Sequence, residues 1–104
     1  MIVTMGETVP GREIANVLGT VRGNTVRTRF FGRDIMAALR NLVGGEVPEY
    51  TKLMAEAREQ AIDRMIYDAE QRGADAVICL RVTTSMIMGG SAELLAYGTA
   101  VRLS

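Results

Sequence analysis

Between Tyr50 and Ala69 the apolar residues recur every three or four positions, and on either side of that run they alternate one by one. A chain cannot present both periods on one kind of element. The first belongs to a helix with one buried stripe and the second to strands with two distinct faces. Tyr50, Leu53, Met54, Ala57, Ala61, Met65 and Ala69 form the helical stripe, which widens past Ala61 where Ile62 and Ile66 join its edge. Pro48 stands near its first turn, where a missing N–H costs little, and Gly73 supplies the stop. Lys52–Glu56, Arg64–Asp68 and Asp68–Arg72 are opposite charges at i,i+4 on the wet side, each worth about 0.2–0.5 kcal/mol.

Alternation marks the strands. A short apolar strand over 2–5 leads into a Pro10-Gly11 turn. From Glu13 onward Ala15, Val17, Gly19 and Val21 fall on one face and Ile14, Leu18 and Thr20 on the other, as in a strand covered on both sides. Gly23-Asn24 reads as a turn, and 25–30 as a further strand with Val26, Thr28 and Phe30 opposite Thr25, Arg27 and Arg29. Ile35, Leu39, Leu42 and Val43 predict a helix closed by Gly44-Gly45. After the long helix, 76–84 is a strand with Ala76, Ile78, Leu80 and Val82 on one face. Gly89-Gly90-Ser91 turns it back, and 92–103 is the last strand. The expected order is β-β-β-α-α-β-β in one domain over 1–104. This is an α+β unit with a mostly antiparallel sheet and two helices on one face.

Composition then bounds the function. The chain has 104 residues, of which 48% are hydrophobic, with no tryptophan. A domain this small buries only about two-thirds of its unfolded surface, so surplus apolar material is expected at an interface between copies. Lysine plus arginine number 12, and aspartate plus glutamate 12. That balance gives no field for nucleic acid or an anionic membrane. No apolar run approaches the roughly 20 residues of a membrane span, and the N-terminus has no basic n-region of a signal peptide. A single cysteine fits a reducing compartment. A cytoplasmic protein without cofactor is the expectation.

Absent residue types exclude much chemistry. With no histidine in the sequence, the commonest general base, the commonest metal ligand and every Ser-His or Cys-His dyad are missing. One cysteine cannot supply CxxC or a Cys₄ zinc site within a subunit, and no GxGxxG or P-loop occurs. Four features retain some chemical interest. Arg22, Arg27, Arg29, Arg33 and Arg40 face only Asp34 within 22–40, so Arg27, Arg29 and Arg33 are candidates to hold a phosphate or carboxylate. Ion pairs with the acidic second helix are the competing reading. Cys79, between Ile78 and Leu80 in a strand, is expected to be a buried inert thiol, or a metal ligand if copies converge on a symmetry axis. Met86 and Met88 share a strand face, which suits packing first and a thioether metal site second. Glu56, Glu59 and Asp63 share the solvent face of the helix. For an enzyme with an arginine-lined pocket acting on an anionic metabolite, the base would have to be a carboxylate or a tyrosine such as Tyr50 or Tyr97.

The blocks IANVLGTVRG (Ile14–Gly23), GRDIMAALRNLVGG (Gly32–Gly45), Tyr50–Ala61, GADAVI (Gly73–Ile78) and YGTAVR (Tyr97–Arg102) resemble, in order, the YbjQ family of small bacterial and archaeal proteins of unknown function. The resemblance implies a dodecin-like α+β subunit assembling as a pentamer, with sheets of adjacent subunits joined around the axis. Some descriptions call that family heavy-metal-binding, and it carries no motif of established catalytic residues to transfer. The expected protein is therefore a non-enzymatic homo-oligomer that binds a small ligand, such as an anion, or acts as a scaffold. Any site would lie between subunits, with Gly32, Arg33, Asp34, Gly44, Gly45 and Gly73 as boundary candidates.

Overall fold

The computed structural model describes residues 1–27, 48–87 and 91–104. In these, a mixed four-stranded sheet carries one long helix: β1 (Ile2–Val3), β2 (Ile14–Arg27), α1 (Pro48–Gln71), β3 (Ala76–Ile87) and β4 (Ser91–Leu103). The sheet order is β1-β3-β4-β2. The β1–β3 ladder is parallel and the other two are antiparallel. The α+β class stands. The expected helix over 35–43 lies outside the described residues, so the described architecture has one helix rather than two.

The helical stripe behaves as its spacing predicts. Ala57, Ala61, Met65 and Ala69 are fully buried, and Ile62 and Ile66 pack at the edge of the same cluster with Val21, Val77, Ala96 and Ala100. Gly73 ends the helix with φ of 74°. The Ala74 N–H donates to Ala69 O and the Gly73 N–H to Glu70 O, which is the paired bonding of a Schellman cap. Of the three expected i,i+4 ion pairs, Asp68–Arg72 forms at 3.5 Å. Arg64 reaches instead across to the strand, its Nη1 donating to Asn24 O at 2.6 Å.

Two strand expectations are corrected. Gly23-Asn24 is no turn, because β2 runs unbroken for 14 residues and pairs with β4 from Ile14↔Leu103 to Arg27↔Ala92. Gly23 is needed there for a different reason. An added Cβ would run into the Ala61 carbonyl oxygen and the Met65 backbone nitrogen, so the bare glycine lets α1 lie directly on the strand.

The second correction concerns faces. Strict alternation would put Ala76, Ile78, Leu80 and Val82 together, yet Val77 and Leu80 share the helix-side cluster while Ala76 and Ile78 belong to a second one. A register shift between Ile78 and Arg81, with Cys79 at φ 57°, inserts an extra residue and exchanges the faces. Shifts between Ile14 and Asn16 and between Val17 and Gly19 do the same in β2. Leu18 and Val21, three apart, therefore both face the helix, while Val17 is 66% exposed. Strand β2 is thus not covered on both sides along its length.

The second cluster, Val9, Ala76, Ile78, Val101 and Leu103, lies on the sheet face away from α1. The segment after β1 covers it. Thr4 N donates to Val77 O, Leu80 N to Thr4 O and Cys79 N to Gly6 O, and Val9 bridges to Arg12. These bonds also cover the outer edge of β3 as far as Leu80. From Arg81 to Met86, no described strand pairs with that edge.

Candidate functional site

Of the three arginines expected to gather an anion, Arg29 and Arg33 lie outside the described residues. Arg27 ends β2 on the helix side, and its Nη2 donates to Gln60 Oε1 at 2.7 Å. Its Nε is buried without a hydrogen-bond partner. The described residues thus place Arg27 against α1.

Cys79 is half-buried at the bulge, not enclosed in a regular strand as expected. Its side chain touches the edge of the second cluster. Met65 is core and Met86 is 71% exposed; Met88 is outside the described residues. Glu56, Glu59 and Asp63 are exposed along α1, as their position opposite the apolar stripe predicts. Among the described residues, no group of three or more His, Cys, Asp or Glu side chains is placed to hold a metal ion.

One hollow among the described residues lies elsewhere, on β2 and β4. Val21, Gly23 and Thr25 of β2 face α1, with Thr25 Oγ1 donating to Ala57 O at 3.0 Å. The residues between them therefore point to the open side of the sheet. There the register sets Thr20 against Thr99, Arg22 against Tyr97 and Asn24 against Leu95. Thr20, Arg22, Leu95 and Tyr97 line a shallow depression of about 270 Å³.

Among the described residues, nothing commits the Arg22 guanidinium. Asp68, the acidic residue of α1 nearest β2, accepts the backbone N–H of Arg22 at 3.3 Å and the Nε of Arg72 at 3.5 Å. The side chains of Arg27, Arg81 and Arg102, the other described strand arginines, all donate to oxygens. Among the described residues, the Arg22 side chain has no such bond. Arg81 is the register partner of Tyr97 on its other flank, so one tyrosine lies between two cationic strands. A planar cation, two hydroxyls and a leucine can together hold a small anion that also has an apolar body.

A family model described as "Putative heavy-metal-binding", YbjQ_1, matches residues 1–104. The chain belongs to the YbjQ family. Among curated YbjQ relatives, a UPF0145 protein of Archaeoglobus fulgidus is 58% identical over 103 residues, covering 99% of this chain and 95% of its own. One from Halorubrum lacusprofundi is 61% identical over 97 residues, with 93% of each chain covered. One from Vibrio parahaemolyticus is 54% identical, with 99% of this chain and 98% of its own covered. A solved structure of a Pediococcus pentosaceus protein of unknown function, from the DUF74 family, has the same fold. Its TM-score is 0.68 at 15% identity, covering 100% of this chain and 98% of that one. No helix among the described residues is long and apolar enough to cross a membrane.

Proposed function

We propose that this YbjQ protein is a non-enzymatic homo-oligomer, pentameric as the family resemblance implies, that binds a small anionic ligand on the open face of its sheet or between copies. The outer edge of β3 beyond Leu80, with which no described strand pairs, carries this reading. From Arg81 to Met86 the strand is exposed, with Val82 37% and Met86 71% accessible. It contains no proline and, beyond Arg81, no charge. Such an edge is a template for another chain.

Sedimentation velocity and native mass measurement across a micromolar dilution series test the reading. The expected mass is five times the 11.3 kDa subunit. The double variant Val82→Lys, Met86→Lys places charge on the exposed edge without touching the core, and should yield smaller, folded species with an unchanged circular dichroism spectrum. A well-folded wild-type monomer at micromolar concentration would overturn the proposal.

A further inference from the structure

We infer that the depression formed by Thr20, Arg22, Leu95 and Tyr97 is a binding site for a small organic anion with a flat apolar body, an aromatic carboxylate being the simplest member of the class. This rests on the reading of the protein as a ligand-binding oligomer. It moves the site from the helix side of the sheet, where Arg27 lies, to the opposite face.

Geometry makes the four side chains a single unit. Arg22 and Tyr97 are opposed in register, Thr20 lies two residues from Arg22 along β2, and Leu95 two residues from Tyr97 along β4. All four share the face turned away from α1, where cross-strand and diagonal neighbours are in reach of long side chains. The guanidinium is planar and offers a bidentate fork to a carboxylate. The phenol and threonine hydroxyls can donate to the same oxygens. The tyrosine ring and Leu95 supply apolar surface for the body of the ligand.

Charge and size narrow the class further. Asp68 accepts the Arg22 backbone N–H and pairs with Arg72. Arg81 lies on the far flank of Tyr97, two strands or about 10 Å from Arg22, and adds positive potential while bonded to Met5 O and Leu80 O. Glu93 follows two residues beyond Leu95 on the same face, so it bounds the anion-attracting region at that end. The volume, about 270 Å³, falls below the roughly 300–1,000 Å³ of drug-sized sites. A single aromatic ring suits it better than a nucleotide. Bare phosphate would gain one guanidinium and leave the leucine and the tyrosine ring uncovered.

Calorimetric titration at fixed ionic strength, with benzoate, benzyl alcohol and acetate as probes, tests this on the full-length protein, and amide chemical shifts map the site. Benzoate should saturate and move the amides of 20–22 and 95–97. Benzyl alcohol, lacking the charge, and acetate, lacking the ring, should each bind about tenfold more weakly or worse. Arg22→Gln should weaken benzoate about tenfold or more, and Arg27→Gln should leave it unchanged. Should Arg22→Gln fail to fold, Arg22→Lys provides the second readout, since it keeps the charge, loses the fork and should still weaken benzoate severalfold. No benzoate binding, binding indifferent to either Arg22 substitution, or acetate equal to benzoate would each overturn the inference. Sedimentation of the same samples separates the two proposals. Intact assembly without benzoate binding removes this site alone, and a monomer that still binds benzoate removes the assembly alone.

Discussion

Replacing Gly23 with alanine adds one methyl group to the most crowded point of the fold. The new Cβ would run into the Ala61 carbonyl oxygen and the Met65 backbone nitrogen, and would come within 2.7 Å of Arg64 Cβ. Two of these three obstacles are helix backbone, which no rotamer change can move, so α1 itself must retreat from β2. Overpacking of a core typically costs about 1–3 kcal/mol, and the absence of a yielding side chain puts this site at about 3 kcal/mol. For a domain of this size that lowers the midpoint of thermal unfolding by roughly 12–24 °C at fixed protein concentration. Urea unfolding followed by circular dichroism measures the loss directly. Gly6→Ala is the control. Its Cβ would meet only Thr4 Oγ1 at 3.6 Å and Thr8 O at 3.8 Å, and it should stay within about 0.5 kcal/mol of wild type. Adding Ala61→Gly to Gly23→Ala should recover nothing, because the obstructing carbonyl remains and glycine inside a helix costs about 1 kcal/mol more. A loss below about 1 kcal/mol for Gly23→Ala would refute the close approach of helix to strand.

Two further perturbations test other parts of the fold. Cys79 holds φ at 57°, a conformation that costs a non-glycine residue about 1–3 kcal/mol; Cys79→Gly should therefore raise stability by about 1 kcal/mol and the β-branched Cys79→Val should lower it. The opposite ranking in urea titrations would show that the bulge is not strained. Along the outer edge of β2, Arg64 Nη1 donates to Asn24 O, Asp68 Oδ2 accepts from Arg22 N, and Arg72 Nη1 reaches Leu18 O at 3.5 Å. Arg64→Ala with Asp68→Ala keeps good helix formers and uncovers part of that edge. Time-dependent light scattering should rise while folding stability changes by less than about 1 kcal/mol, and flat scattering over days would refute the protective role.

The same residues show which parts of this fold a sequence can disclose. The stripe Ala57, Ala61, Met65, Ala69 was legible because helix burial depends only on spacing within one segment, and all four are buried. Gly73 was legible because its role, a left-handed cap, is local as well. Gly23 was not. A glycine followed by asparagine carries the same local cue whether it makes a turn or makes room for a helix, and the choice depends on Ala61 and Met65, which lie far away in the chain. The bulge at Cys79 was hidden for a related reason. Cysteine gives no sign of a positive φ, so nothing local marks where β3 exchanges its faces, and plain alternation mispredicts the facing of Leu80 and Val82 from that residue onward.

The site follows the same logic. Arg22 is visible in the sequence as one of five arginines within 22–40, and Tyr97 only as a candidate base. What joins them is the register of β2 on β4, and that register depends on the two shifts near Ile14 and Val17. Moving either strand by one residue would turn Arg22 and Tyr97 to opposite faces. The depression is therefore a property of the bulges as much as of its lining, and correcting a bulge should disturb the site before it disturbs the core. The helix-borne row Arg64, Asp68 and Arg72 has a second consequence for that site. By satisfying the β2 backbone and occupying Asp68, it leaves Arg22 as the strand cation without a described partner, beside a hollow on the open face. One row of side chains thus shields the β2 edge and leaves the Arg22 guanidinium without a described partner, while among the described residues the edge of β3 beyond Leu80 has no comparable cover.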